Sequence, residues 1–191
     1  MRLLLIGAPG SGKGTQAELL SQRLGIIHIS SGELLREHID AQTDLGRQVS
    51  EYVEAGDLVP DALVMDMLFR PVVNAAEAGG YVLDGFPRTV EQALASYDVA
   101  RTHGAHVQAA VHLEVPDDEL MQRILSRSRG SDDSRAVIEH RLEVYRDKTV
   151  PLLGYYRQRA WLASVDGSRD VDAVHADIVE RVTDLRSAAG T

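Results

Sequence analysis

Short apolar runs alternate along this chain with longer stretches in which apolar positions recur every three or four residues. The runs at 3–6, 26–29, 81–83, 107–113 and 161–165 are rich in leucine, isoleucine and valine, and they predict five strands. Between them, 16–24, 62–78, 90–101 and 136–156 carry the helical period. Strands that alternate with helices predict an α/β fold, a parallel sheet with helices on both faces. Ligands of such sheets bind outside the carboxyl ends of the strands. Two stretches read as additions to this plan. Residues 31 to about 59 form short helices without a strand, and 128–134 form a polar loop between two helices.

Composition narrows the class. With 191 residues, 44% of them hydrophobic, the chain can bury one real core. No linker, repeat or low-complexity segment divides it. The formal charge of -9 gives no general drive toward nucleic acid or an anionic membrane. Without a single cysteine there is no disulfide, no thiolate zinc site and no cysteine nucleophile. The run at 3–6 stops at Gly7, too soon for a membrane span or a signal-peptide core, so a soluble cytoplasmic protein is expected. The seven histidines share no spacing with a carboxylate cluster.

The basic residues are unusual: eighteen are arginine and two are lysine, Lys13 and Lys148. Lys13 lies in the segment Gly7-Ala8-Pro9-Gly10-Ser11-Gly12-Lys13-Gly14-Thr15, between the first strand and the first helix. That is the setting of a phosphate loop. Its glycines let successive N–H groups face one centre, the helix start adds positive potential, and the ammonium follows the phosphoryl group. The general pattern places Ser or Thr directly after the lysine, as a magnesium ligand. Here Gly14 stands there and Thr15 comes one residue later, which argues against the GTPase and motor-ATPase versions. Asp84, just past the third strand, can hold Mg²⁺ through its water shell or cap the next helix. Glu33 can be a second such carboxylate, or the start of a helix after Ser30.

The loop with Gln16 resembles the opening of the adenylate kinases, members of the nucleoside monophosphate kinase family. Three further blocks agree: 29–36 (Ile-Ser-Ser-Gly-Glu-Leu-Leu-Arg), 84–89 (Asp-Gly-Phe-Pro-Arg-Thr), and Arg141-Leu142 followed by Pro151-Leu152-Leu153-Gly154-Tyr155-Tyr156. The similarity runs through the whole chain in the right order. It implies a five-stranded P-loop NTPase-type core (1–29, 60–127 and 135–191), an AMP-binding helical insertion at 30–59 and a short lid at 128–134. It also implies ATP, AMP and ADP as ligands, Mg²⁺ with ATP, no zinc and a monomer, the reaction being ATP + AMP = 2 ADP.

Site residues follow from the same resemblance. Gly10, Ser11, Gly12, Lys13, Gly14 and Thr15 match the ATP phosphate loop. Arg36 and Arg88 match arginines that bind the AMP phosphate. Arg123, Arg127 and Arg141 match those facing ATP or the transferring group. Lys13, Arg88, Arg127, Arg129 and Arg141 form the expected catalytic set. The family's further lid arginine lies two residues before an Asp-Asp pair, but Gly130 has that spacing from Asp132-Asp133. Arg129 is therefore carried over by a one-residue insertion. The turn ending at Arg169 matches the one whose backbone faces the ATP adenine. Ser31, Asp57, Leu58, Val59, Gly85 and Phe86 match the AMP pocket, and Gln92 matches a glutamine that contacts the AMP adenine. Taken alone, an arginine on a helix is a surface charge and Gln92 a helix surface residue. Two rivals stand beside this reading: a kinase of UMP or CMP, and a nucleotide-binding protein that only changes shape.

Overall fold

The computed structural model describes residues 1–127 and 134–189. In chain order the elements are β1 (Arg2–Gly7), α1 (Lys13–Leu24), β2 (Ile27–Ser30), α2 (Ser31–Asp40), α3 (Asp44–Ala55), α4 (Asp61–Glu77), β3 (Tyr81–Asp84) and α5 (Val90–Thr102). They continue with β4 (Ala109–Glu114), α6 (Asp117–Arg127), α7 (Arg135–Val144), α8 (Val150–Arg157), β5 (Leu162–Asp166) and α9 (Val171–Ala189).

All five strands are parallel, in the order β2-β3-β1-β4-β5. β1 is central and buried on both faces, which is why it reads as a continuous apolar run. Leu3 and Leu5 point to one face, where Ala17 and Leu20 of α1 and Ile178 of α9 cover them. Leu4 and Ile6 point to the other, against Leu68 of α4, Ala93 of α5 and Leu152 of α8. A third cluster sits over the loop after β1, where Ala8 meets Leu120 and Ile124 of α6 and Ile138 and Leu142 of α7. Among the described residues no helix is long and apolar enough to cross a membrane.

The predicted strands are present, displaced at their ends by one or two residues. The displacement has a cause. Apolar patterning stops where burial stops, but the ladder continues one residue further into polar positions. Ser30 pairs with Asp84, and Glu114 with Asp166, at the carboxyl edge. The stretch 136–156 also differs from a single helix. A π-helical turn, Tyr145–Thr149, separates α7 from α8. Pro151 stands in the first turn of α8, where its lack of an N–H is tolerated, and the Val150 N–H closes the wider turn on the Tyr145 carbonyl.

Inside 30–59, α2 and α3 fold back on each other through a turn in which Gln42 has φ 51°. Thr43 caps α3 by accepting from the Gly46 N–H at 3.0 Å. A Cβ at Gly46 would lie 2.0 Å from the His38 carbonyl oxygen, so only glycine lets the helices meet this closely. Gly46→Ala is expected to cost about 1–3 kcal/mol through overpacking, read as a lower urea midpoint with unchanged slope.

Candidate functional site

The loop after β1 is built by two backbone requirements. Gly10 and Gly12 have φ of 83° and 92°, a left-handed conformation that glycine adopts without strain. Gly10 has a second reason: a Cβ there would lie 2.7 Å from Ile124 on α6. The Ser11 N–H donates to the Ala8 carbonyl at 3.1 Å, and the chain turns into α1 at Lys13. Lys13 Nζ donates to the carbonyls of Gly7 at 2.8 Å and Ala8 at 2.9 Å. Its ammonium is thereby held at the carboxyl end of the central strand.

This loop forms one wall of a cavity of about 220 Å³. Gly10, Gly12, Lys13, Gly14 and Thr15 line it from one side. Ser30, Glu33 and Arg36 enter from β2 and α2, Asp84 and Arg88 from the end of β3, and Arg141, Tyr145 and Thr149 from α7 and the π-helical turn. A Cβ at Gly14 would meet nothing within 4 Å, so the departure from the general motif is not imposed by packing. A second cavity of about 60 Å³ lies beside the first. Ser31, Asp57, Leu58, Val59, Gly85, Phe86 and Gln92 line it, and they are the residues matched to the AMP pocket.

Arg36, Arg88 and Arg141 line both cavities. They stand on the boundary, where a group on one side meets a group on the other. Burial pulls the pKa of Arg88 down, and the charges of Arg141 and Arg36 add to this against the opposing pull of Asp84. Desolvated like charges make this boundary strongly attractive to an anion. Arg88 is fixed by its Nε–H donating to the Gly85 carbonyl at 2.7 Å. Arg141 passes directly over Gly56, where a Cβ would lie 2.7 Å from its Cγ.

One carboxylate oxygen of Asp84 is buried without a hydrogen-bond partner and belongs to a side chain lining the larger cavity. A hard oxygen donor so placed, with Glu33 on the same wall, fits a hydrated Mg²⁺. The Ser30 hydroxyl caps α2, accepting from the Glu33 N–H at 3.3 Å, which leaves the Glu33 carboxylate to the cavity.

Other candidates sit elsewhere. Ser11 is buried beneath the loop, 2% exposed, and does not line the cavity. Arg123 pairs with Glu119 on its own helix at 2.5 Å. Arg169 donates to Asp177 at 2.5 Å and to the Asp166 carbonyl at 3.2 Å. Neither arginine lines either cavity. Arg129 lies outside the described residues, as does the side chain of Arg127. Gln92 lines the smaller cavity, but its amide already has two protein partners: it accepts from the Arg88 N–H and donates to Asp61, each at 2.7 Å.

Sequence reasoning passed over several residues. The Tyr145 hydroxyl is 2.9 Å from His112 Nε2, and His112 Nδ1 is 3.3 Å from Glu114, a polar chain from the end of β4 into the cavity. Burial and Glu114 push Tyr145 up to about 12, and burial holds His112 below its ordinary range. The available signal was the spacing of Arg141 and Tyr145, four residues apart on one helical face. His140 Nε2 lies 2.7 Å from the Asp57 carboxylate, joining α7 to the segment before α4.

Known proteins resemble this chain in sequence. The family model described as adenylate kinase matches residues 5–161. A protein of Mycobacteroides abscessus named adenylate kinase is 45% identical over 92% of this chain and 96% of its own length. One of Nocardia farcinica with the same name is 45% identical over 92% and 95%. A third, from Micrococcus luteus, is 39% identical over 100% of this chain and 94% of its own. With the phosphate loop, the parallel sheet and two cavities meeting at an arginine boundary, these matches show that the chain belongs to the adenylate kinase family.

Proposed function

We propose that the protein transfers the terminal phosphoryl group of MgATP reversibly to AMP, giving two ADP. The observation that carries this reading is the shared wall. A phosphoryl group moving between two nucleotides needs positive charge where both polyanions end, and Arg36, Arg88 and Arg141 stand at the meeting of the two cavities. A protein that only sensed one nucleotide would have no use for such a boundary.

The larger cavity takes the ATP phosphates on Gly10, Gly12, Lys13, Gly14 and Thr15, with the Ser11 backbone shaping the turn. Magnesium supplies charge neutralisation on the phosphates, with Asp84 and Glu33 as its protein carboxylates through water. The smaller cavity takes AMP: Arg36 and Arg88 on its phosphate, Ser31, Asp57, Leu58, Val59, Gly85 and Phe86 around the nucleoside, and Gln92 at the base. The Ser31 hydroxyl is buried without a partner at this wall, which suits a ligand contact. By resemblance, Arg123, Arg127 and Arg169 are assigned to ATP, Arg129 and Arg141 to AMP, and Arg127, Arg129 and Arg141 to the catalytic charges. By the same resemblance, the insertion at 30–59 closes over the core at 1–29, 60–127 and 135–191; the lid expected at 128–134 lies, apart from Ser134, outside the described residues. No general base is needed, because the AMP phosphate is already an anionic nucleophile. Catalysis is positioning, charge stabilisation and exclusion of water. The protein works as a cytoplasmic monomer without nucleic acid, membrane or zinc.

A coupled ADP assay with ATP and AMP, with and without Mg²⁺, tests the reading directly. Activity with AMP that collapses on chelation supports it, whereas equal or better use of CMP or UMP would assign the protein to a pyrimidine acceptor. Lys13→Met is expected to keep the fold and lower turnover by at least ~10²-fold, the loss of one preorganised charge at the transition state. Near-normal turnover in the folded variant would remove Lys13 from the mechanism. Arg88→Ala is expected to raise the KM for AMP about tenfold or more and to lower turnover as well, on the scale of a hydrogen bond to a charged group. The KM for ATP should change less.

A further inference from the structure

An amide presents two opposite faces of polarity, and in Gln92 the choice between them is made by the protein. Its side chain is 3% exposed. The Arg88 N–H can only donate, and it meets Oε1 at 2.7 Å. The Asp61 carboxylate can only accept, and it meets Nε2 at 2.7 Å. Turning the amide over would set its oxygen against the carboxylate and its NH₂ against the N–H. Two hydrogen bonds would become two repulsions, so one orientation holds. Because the Arg88 N–H is a backbone group, Asp61 is the side chain that contributes the second lock. It comes from another element, the first turn of α4, 31 residues earlier in the chain.

We propose that Asp61 is a positioning residue for base selection, fixing the Gln92 amide so that the acceptor site takes a 6-aminopurine nucleotide and refuses a 6-oxopurine one. The inference rests on the reading of the smaller cavity as the AMP site. An amide has two donor hydrogens and two acceptor lone pairs. Arg88 and Asp61 use one of each, which leaves one N–H and one lone pair for a ligand. That remainder complements the neighbouring acceptor N1 and donor N6 of adenine. Hypoxanthine has nearly the same shape with the polarity reversed, an oxygen at position 6 and a hydrogen on N1. A glutamine free to rotate could serve either base. A glutamine locked by Asp61 serves one.

Asp61 and Gln92 also have a plain structural use. Asp61 is an acidic residue in the first turn of α4, favourable to the helix dipole, and Gln92 lies three residues after the Thr89 cap of α5. That use predicts changes in stability, not in the choice between bases.

The test compares AMP and IMP as acceptors, with ATP as donor, for the parent, Asp61→Ala, Asp61→Asn, Gln92→Ala and the double variant Asp61→Ala/Gln92→Ala, together with thermal midpoints. Asp61→Ala is expected to reduce the AMP-over-IMP ratio of kcat/KM about fivefold or more, the scale of one net hydrogen bond. The change should appear in the acceptor KM, with kcat at saturating AMP and the KM for ATP unchanged. Asp61→Asn can donate as well as accept, so it no longer fixes the amide, and the ratio is expected to fall as it does in Asp61→Ala. The double variant should discriminate no worse than Gln92→Ala, since the two residues act as one unit. A lower thermal midpoint in Asp61→Ala with an unchanged ratio overturns the proposal, as does a ratio kept in full by Asp61→Asn. If the parent ignores AMP, the functional reading itself fails. If Gln92→Ala loses the preference while Asp61→Ala keeps it, only the positioning role fails.

Discussion

Three guanidinium groups directed at one small volume repel each other, and nothing in the side chains themselves would bring them together. The site depends on the fold forcing that convergence. Each arginine is carried by an apolar neighbour that has no alternative to its place in the core. Leu35 is buried beside Arg36, Leu142 beside Arg141, and Phe86 lies two residues before Arg88. Burial of such side chains is worth about 1.5–3 kcal/mol each, enough to hold a partly screened like charge in position. Close backbone approaches complete the arrangement, with Arg88 bonded to the Gly85 carbonyl and Arg141 passing over Gly56.

The parallel sheet decides which residues are available for this. Every strand runs toward the same edge, where the ladders end in polar pairs, Ser30 with Asp84 on one side of β1 and Glu114 with Asp166 on the other. Three of the described features of the site grow from that edge: the cap of α2, the orphaned carboxylate oxygen of Asp84, and the chain from Glu114 through His112 to Tyr145. Among the described residues, the opposite edge carries none of the groups assigned to chemistry.

Much of this was legible in the sequence, for local reasons. β1 is recognisable because both of its faces are buried, and the phosphate loop because glycines, lysine and the start of a helix follow it without interruption. Arg88 stood out because it lies in a loop just past a strand. Arg36 and Arg141 look like any solvated helical charge, and only the resemblance or the tertiary structure separates them from Arg123, which pairs with its own helix. The locking of Gln92 could not be read at all. It requires α4 and α5 to meet, and periodicity along one helix is silent about its neighbours. The π-helical turn escaped for a related reason, since an apolar period tolerates one extra residue without losing its face.

The attachment of Lys13 to the Gly7 and Ala8 carbonyls has a thermodynamic consequence for a phosphate ligand. A lysine waving in water loses rotamer entropy when it is captured, about 2 kcal/mol for the whole side chain. Here that freedom is already lost in the folded protein. A phosphate oxygen arriving at the ammonium faces an exchange of oxygen partners, with little further ordering of the side chain. Such an exchange favours rapid turnover over tight retention, because the backbone carbonyls stand ready to receive the ammonium again when the product leaves.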